Sequence, residues 1–148
     1  MSNGLFEKGN ALMALDVGTK RIGIALCDPM HMVVTPLETL HRKKFTPDAQ
    51  YLIKLIKDWN IKGLVVGLPL NMDGTEGVTC QSVRDFIKNL ERLEDWPTTL
   101  AITFQDERLT SIEAETALID EMDVSRKKRI GAVDQLAAMT ILKRFLNN

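Results

Sequence analysis

Apolar residues follow two rhythms along this chain. Ala11 to Val17 is an apolar run broken only by Asp16, and Ile22 to Cys27 is a second such run. Between them stands Gly18-Thr19-Lys20-Arg21. Two β-type runs flanking a glycine-containing turn predict a hairpin. Asp28-Pro29 ends the second run. Met32 to Leu40 reads as a third strand, and Pro36 within it predicts an edge position, because proline cannot donate to a ladder.

The period then changes. Thr46-Pro47-Asp48 reads as a helix start, with Thr46 as N-cap and Pro47 in the first helical position. Ala49, Leu52, Ile53 and Ile56 follow at helical spacing. Leu64 to Leu68 is a short branched run of the kind buried in parallel sheets. A glycine- and asparagine-containing loop, Pro69 to Gly77, leads into a second helix with the face Val83, Phe86, Ile87, Leu90 and Leu93. Trp96-Pro97 closes that unit, and Leu100 to Gln105 reads as a fifth strand. Thr110 and Glu113 have capping-box spacing and open a third helix towards Met122. After the basic stretch Arg126 to Arg129, a last helix carries Ile130, Val133, Ala137, Ala138, Ile141, Leu142 and Phe145 as one stripe.

Three strands followed by strand–helix alternation predict an α/β fold with a five-stranded mixed sheet, three strands antiparallel and two parallel, flanked by helices. The 148 residues are read as one domain, with residues 1–10 flexible. In such sheets ligands gather at the carboxyl ends of the parallel strands.

Composition narrows the function. The chain is 45% hydrophobic, with 19 basic and 20 acidic residues and a net charge of −1. That balance excludes gripping nucleic acid by bulk charge, though not through a local patch. Cys27 and Cys80 are far apart and fit no metal spacing, so both are read as free thiols of a reducing cytoplasm. No signal-peptide core and no membrane span is expected. His31 and His41 have no evident partners and are read as surface residues.

Carboxylates break the apolar pattern in three places. Asp16 lies in the first strand just before Gly18, where it either carries chemistry or caps the turn. Asp106-Glu107 closes the fifth strand, and strand alternation turns one of the two inward. The alternative is that both simply sit before the next helix and complement its dipole. Asp134 falls on the apolar stripe of the last helix, unless that helix begins near Gly131 and Asp134 serves its first turn. Acids at two strand ends and on a helix crossing that edge, with no His or Cys beside them, are hard oxygen donors suited to Mg²⁺ or Mn²⁺. Paired ions ~4 Å apart would activate water against a phosphodiester. Lys20, Arg21 and Arg108 stand beside these acids in sequence, where phosphate contacts are expected. No GxSxG motif or P-loop offers another chemistry.

Four motifs together resemble the YqgF family: Leu15-Asp16-Val17-Gly18-Thr19-Lys20-Arg21-Ile22-Gly23, Val66-Gly67-Leu68-Pro69-Leu70-Asn71-Met72-Asp73-Gly74, Asp106-Glu107-Arg108-Leu109-Thr110-Ser111, and Asp134-Gln135-Leu136-Ala137-Ala138. They span nearly the whole chain in the family's order. The resemblance implies a ribonuclease H-like fold related to RuvC-type resolvases and a nuclease processing the 5′ end of precursor 16S ribosomal RNA. It implies Asp16, Glu107 and Asp134 as metal-holding catalytic carboxylates, with Asp106 a candidate fourth, and Asn71 in a loop near the substrate. Structured RNA is the expected partner, with branched DNA as the alternative, and the protein itself is either a monomer or a homodimer. RuvC-type resolvases carry an acid at the end of the strand after the first helix, where this chain has Val66-Gly67-Leu68-Pro69. They carry another one turn before the last acid, where it has Gly131. Two other readings stand beside the nuclease: a non-catalytic nucleic-acid-binding ribosome-assembly protein, and an actin-like phosphotransferase, suggested by Asp16-x-Gly18-Thr19.

Overall fold

A computed structural model describes residues 4–107 and 126–147. Its sheet contains β1 (Ala11–Val17), β2 (Arg21–Cys27), β3 (Val34–His41), β4 (Ile61–Leu68) and β5 (Ala101–Asp106). The helices are α1 (Phe45–Asp58), α2 (Val78–Glu91) and α3 (Arg126–Leu146). The strand order is β3-β2-β1-β4-β5. The β1–β2 and β2–β3 pairs are antiparallel, and the β1–β4 and β4–β5 pairs are parallel. This is the mixed sheet that the order of runs predicts. The third helix expected from Thr110 towards Met122 lies outside the described residues.

Strand alternation divides the core into two layers with different side chains. Met13, Leu15, Val17, Ile22, Ile24, Leu64, Val66 and Leu68 belong to the layer shared with α1 and α2. Leu12, Ala14, Ala25, Cys27 and Val65 meet Ala138, Ile141 and Leu142 of α3. The α3 side of the sheet is built from small residues, which lets that helix lie close. At Gly23 a Cβ would run into the backbone of Asp134 itself. Truncating Ile141 or Leu142, both fully buried, is expected to cost about 2–5 kcal/mol.

Several element boundaries differ from those the sequence predicts. Helix α1 begins at Phe45, with Lys44 as an N-cap that makes no side-chain cap bond, rather than at Thr46. The Phe45 ring packs edge-on against Phe86 at 6.0 Å, which draws the helix start forward. Asp48 then reaches back to accept a hydrogen bond from Lys43 N at 3.0 Å. Pro47 still falls in the first turn, where its missing N–H has no intrahelical partner to lose. Strand β3 begins at Val34 rather than Met32, because the Asp28 carboxylate accepts hydrogen bonds from the backbone N–H groups of Met30, Met32 and Val33. Pro36 does lie in an edge strand, beside a register shift between Ile24 and Ala25. Strand β4 starts at Ile61, earlier than Leu64, and β2 at Arg21. The described part of helix α3 already includes Arg126 to Arg129, ahead of Ile130, since arginine and lysine favour helix without leaving an apolar period to read.

His31 corrects another expectation. Its Nε2 lies 2.8 Å from Asn10 O, and its backbone is left-handed at φ 58°. The turn after β2 folds the ring back onto the loop before β1. His41 is exposed, at the end of β3 opposite Arg21. Phe6 stacks edge-on against Phe145 of α3 at 5.4 Å. Cys27 and Cys80 are buried free thiols. Among the described residues no helix is long and apolar enough to cross a membrane.

Candidate functional site

The carboxylates collect where β1, β4 and β5 end, because parallel strands point their carboxyl ends the same way. Asp16 is the penultimate residue of β1 and pairs with Gly23 of β2. Partners directly opposite share a face, so Asp16 faces α3 with Leu12 and Ala14. The contact between Gly23 and the Asp134 backbone fixes where α3 crosses. The crossing brings Asp134 beside Asp16.

Glu107 follows β5 directly, and its N–H donates to Leu68 O at 3.2 Å. Gly67 pairs with Gln105, so Glu107, two residues on, returns to the α3 side while Asp106 points to the other. Between the two acids that close the fifth strand, Glu107 is therefore the inward one, and it is buried. A Cβ at Gly67 would lie 2.7 Å from Glu107 Cδ and 2.9 Å from Oε2. The β5 acid thus fills the space beside β4 that a side chain in the strand after the first helix would otherwise hold.

Burial, the charge of Asp16 and a hydrogen bond to Asp16 push the Glu107 carboxyl up to about 9. Asp106 adds to this rise and Arg144 of α3 opposes it. Asp16 is pushed up to about 6 by burial and by Asp134, while its hydrogen bond with Glu107 opposes the rise. Of the pair, Glu107 is the acid whose proton is held more tightly, and it is the one placed to donate to Asp16. The other Glu107 oxygen, Oε2, is buried with no hydrogen-bond partner among the described residues.

Asp134 is held differently. Arg21 Nε donates to its Oδ2 at 2.7 Å, and the two side chains are 34% and 17% exposed. Arg21, expected to contact nucleic acid, makes an ion pair with this carboxylate through Nε. Among the described residues no group of three or more His, Cys, Asp or Glu side chains is arranged to hold a metal ion. The three-carboxylate ligand set expected from the sequence is thus not closed, because Arg21 holds Asp134 while Asp16 and Glu107 engage each other. The donor chemistry nevertheless fits a hard divalent cation. All donors are oxygens, one is orphaned in a buried position, and both Asp16 and Glu107 are made harder to ionise by burial and a neighbouring acid, a cost that a cation would relieve.

The remaining candidates form the rim. Lys20 is exposed on the β1–β2 turn, which Gly18 N closes by donating to Arg21 O at 2.9 Å. Asn71 is exposed beyond β4 and donates through Nδ2 to Thr75 Oγ1 at 3.0 Å, so its side chain braces its own loop. Arg108 lies outside the described residues. Sequence reasoning passed over several supports. Thr39 Oγ1 donates to Gly131 O at 2.7 Å and accepts from Gln135 Nε2 at 3.2 Å, tying α3 to β3. Arg42 lies over the Phe86 ring and donates to Gly18 O at 2.6 Å, securing the hairpin. The small residues Gly23 and Ala25, with Gly67, were the available signal for a close-packed helix.

Known proteins can be set against this geometry. Residues 10–148 match the model of the RuvX family, described as a Holliday junction resolvase. A protein of Ruegeria pomeroyi named "Putative pre-16S rRNA nuclease" is 50% identical over 138 residues, covering 93% of this chain and 86% of its own. A protein of the same name from Paracoccus denitrificans is 51% identical over 137 residues, covering 93% and 84%. Among solved structures, Thermus thermophilus RuvC in complex with a Holliday junction substrate superposes with TM-score 0.53 at 8% identity, covering 92% of this chain and 96% of that one. The Fowlpox virus resolvase in complex with Holliday junction DNA gives TM-score 0.50 at 9% identity, covering 92% and 99%. At such identities these likenesses speak for the fold alone, which is ribonuclease H-like.

Proposed function

The chain belongs to the RuvX family, and from that premise we propose that it is a nuclease hydrolysing phosphodiester bonds of structured RNA, namely the 5′ end of precursor 16S ribosomal RNA, with Mg²⁺ or Mn²⁺. The observation carrying this reading is the Asp16–Glu107 carboxyl pair at the carboxyl edge of the sheet, half-buried at Asp16 and buried at Glu107, where one oxygen is orphaned among the described residues. A fold gains nothing from two desolvated acids in contact, so their retention speaks for chemistry. Asp16, Glu107 and Asp134 would hold the cation. When bound, it supplies activation of water and stabilisation of the leaving oxygen.

The protein's own groups do the rest. With a cation held there, Glu107 would give up its proton and Asp16 would be freed from their hydrogen bond. The apolar α3 layer beneath them, Ile141 and Leu142, keeps bulk water from the carboxylates' inner side. Lys20 on the exposed hairpin tip positions the phosphate backbone of the strand, as basic side chains commonly do. Cleavage of branched DNA is the second reading, favoured by the family's description. Precursor 16S RNA and a four-way DNA junction, each incubated with the protein and Mg²⁺ or Mn²⁺, separate the two. RNA cleavage that is lost in Asp16→Asn is the expected result. A protein that binds both substrates and cuts neither would leave a ribosome-assembly role instead.

A further inference from the structure

We propose that Arg21 is an exchangeable counter-ion of the carboxylate cluster: without a divalent cation it holds Asp134, and a cation entering among Asp16, Glu107 and Asp134 takes its place and frees the guanidinium for a substrate phosphate. This rests on the nuclease reading and says how that site is kept ready.

Strand parity sets the arrangement. Arg21 and Gly23 are two residues apart on β2 and face the same side, and the Asp134 backbone packs on Gly23. Asp16 lies directly across from Gly23. The Asp134 carboxylate therefore has a fixed cation on one side and an acid pair on the other. Three carboxyls gathered at one strand edge repel each other, and Arg21 offsets that repulsion while no metal does.

The form of the contact favours exchange over a permanent strut. Arg21 touches Asp134 through Nε alone, at 2.7 Å, rather than through the two-pronged fork that makes arginine–carboxylate pairs strongest. Its Nη groups have no hydrogen-bond partner among the described residues, so the face suited to phosphate is uncommitted. With 34% of the Arg21 side chain exposed, the pair is open to solvent and to an incoming ion. Asp134 already bears electrostatically on Asp16, so its carboxylate lies between the two neighbours that compete for it.

Nitrogen-15 NMR of the Arg21 Nε–H group, assigned by its absence in Arg21→Gln, tests this while Mg²⁺ alone is added and calorimetry follows the same titration. The Nε–H signal is expected to exchange slowly with water before Mg²⁺ and to shift and exchange faster as Mg²⁺ binds, with the same midpoint as the heat. Arg21→Gln is expected to bind Mg²⁺ about tenfold more tightly, since a competing cation is gone. Saturable Mg²⁺ binding with an unmoved Nε–H signal overturns the exchange and leaves the nuclease reading standing. No binding of Mg²⁺ or Mn²⁺ by either variant overturns both.

Discussion

The carboxyl group of Glu107 stands where a side chain on Gly67 would have to go. A single methyl at residue 67 would meet Glu107 Cδ at 2.7 Å and press on Ile141. The acid at the end of β5 and the bare residue near the end of β4 are two halves of one feature. A strand with no acid of its own receives one from its neighbour, and it can do so because it has no Cβ.

Gly67→Ala is therefore expected to destabilise the protein by about 1–3 kcal/mol and to turn Glu107 out of the site. Gly23→Ala should cost more, because there the obstacle is the Asp134 backbone rather than the ends of side chains. Urea unfolding of the two variants beside the wild type measures the difference. Equal losses would contradict the close approach of α3 at Gly23.

Stability should fall with rising pH through the carboxyl pair. In the fold Asp16 titrates at about 6 against an ordinary 3.8, and Glu107 at about 9 against 4.5. Between the ordinary and raised values the folded chain holds more protons than the unfolded one, so unfolding becomes easier as pH rises. The contribution is intact below about pH 4 and is lost as pH climbs through about 6 and then about 9. Glu107→Gln removes the upper part of that slope and is expected to stabilise the protein at pH 8. Melting curves from pH 5 to 9 check the sign.

Loading with a cation at neutral pH should release protons, since Glu107 starts protonated and must ionise to ligate. Calorimetry of Mg²⁺ binding at pH 7 in two buffers of different ionisation heat is expected to give about one proton released per site. Glu107→Gln should release close to none. A heat independent of the buffer would remove Glu107 from the ligand set.

Asp16→Asn and Asp134→Asn are each expected to lower cleavage at least about 100-fold with the far-ultraviolet circular dichroism unchanged. Asp134→Asn also leaves Arg21 without its carboxylate, so its effect on melting should exceed any small shift from Asp16→Asn. Retained cleavage in either variant would separate these acids from the chemistry.

Thr39→Ala should loosen the start of α3 without touching the acids. It removes hydrogen bonds to Gly131 O and from Gln135 Nε2, and about 1–2 kcal/mol is the expected loss. Amide exchange in the first turns of α3 should quicken while that in β1 and β4 stays slow. Uniform quickening would mean that Thr39 supports the whole sheet instead.

Much of this was legible in the chain because periodicity and strand order survive in sequence. The runs Ala11–Val17 and Ile22–Cys27 are apolar almost throughout and flank a glycine-containing turn, so the hairpin follows from them, whereas the face of Asp16 needed the pairing with Gly23 and the position of α3. The inward turn of Glu107 needed the β4–β5 register, which no local pattern carries. The pairing of Arg21 with Asp134 joins residues 113 apart in sequence, and charge alone marked Arg21 only as a phosphate contact. Start points such as Phe45 and Val34 were misplaced because distant partners, Phe86 for one and the Asp28 carboxylate for the other, override the local signal.

The separation of Arg21 from Asp134 has a temporal consequence. During synthesis the hairpin bearing Asp16 and Arg21 leaves the ribosome long before the segment carrying Asp134 exists. A nascent chain therefore holds an arginine with no acid to answer it and an acid with no companions. The three acids meet only when the helix bearing Asp134 settles on Gly23, so the cluster forms late in synthesis.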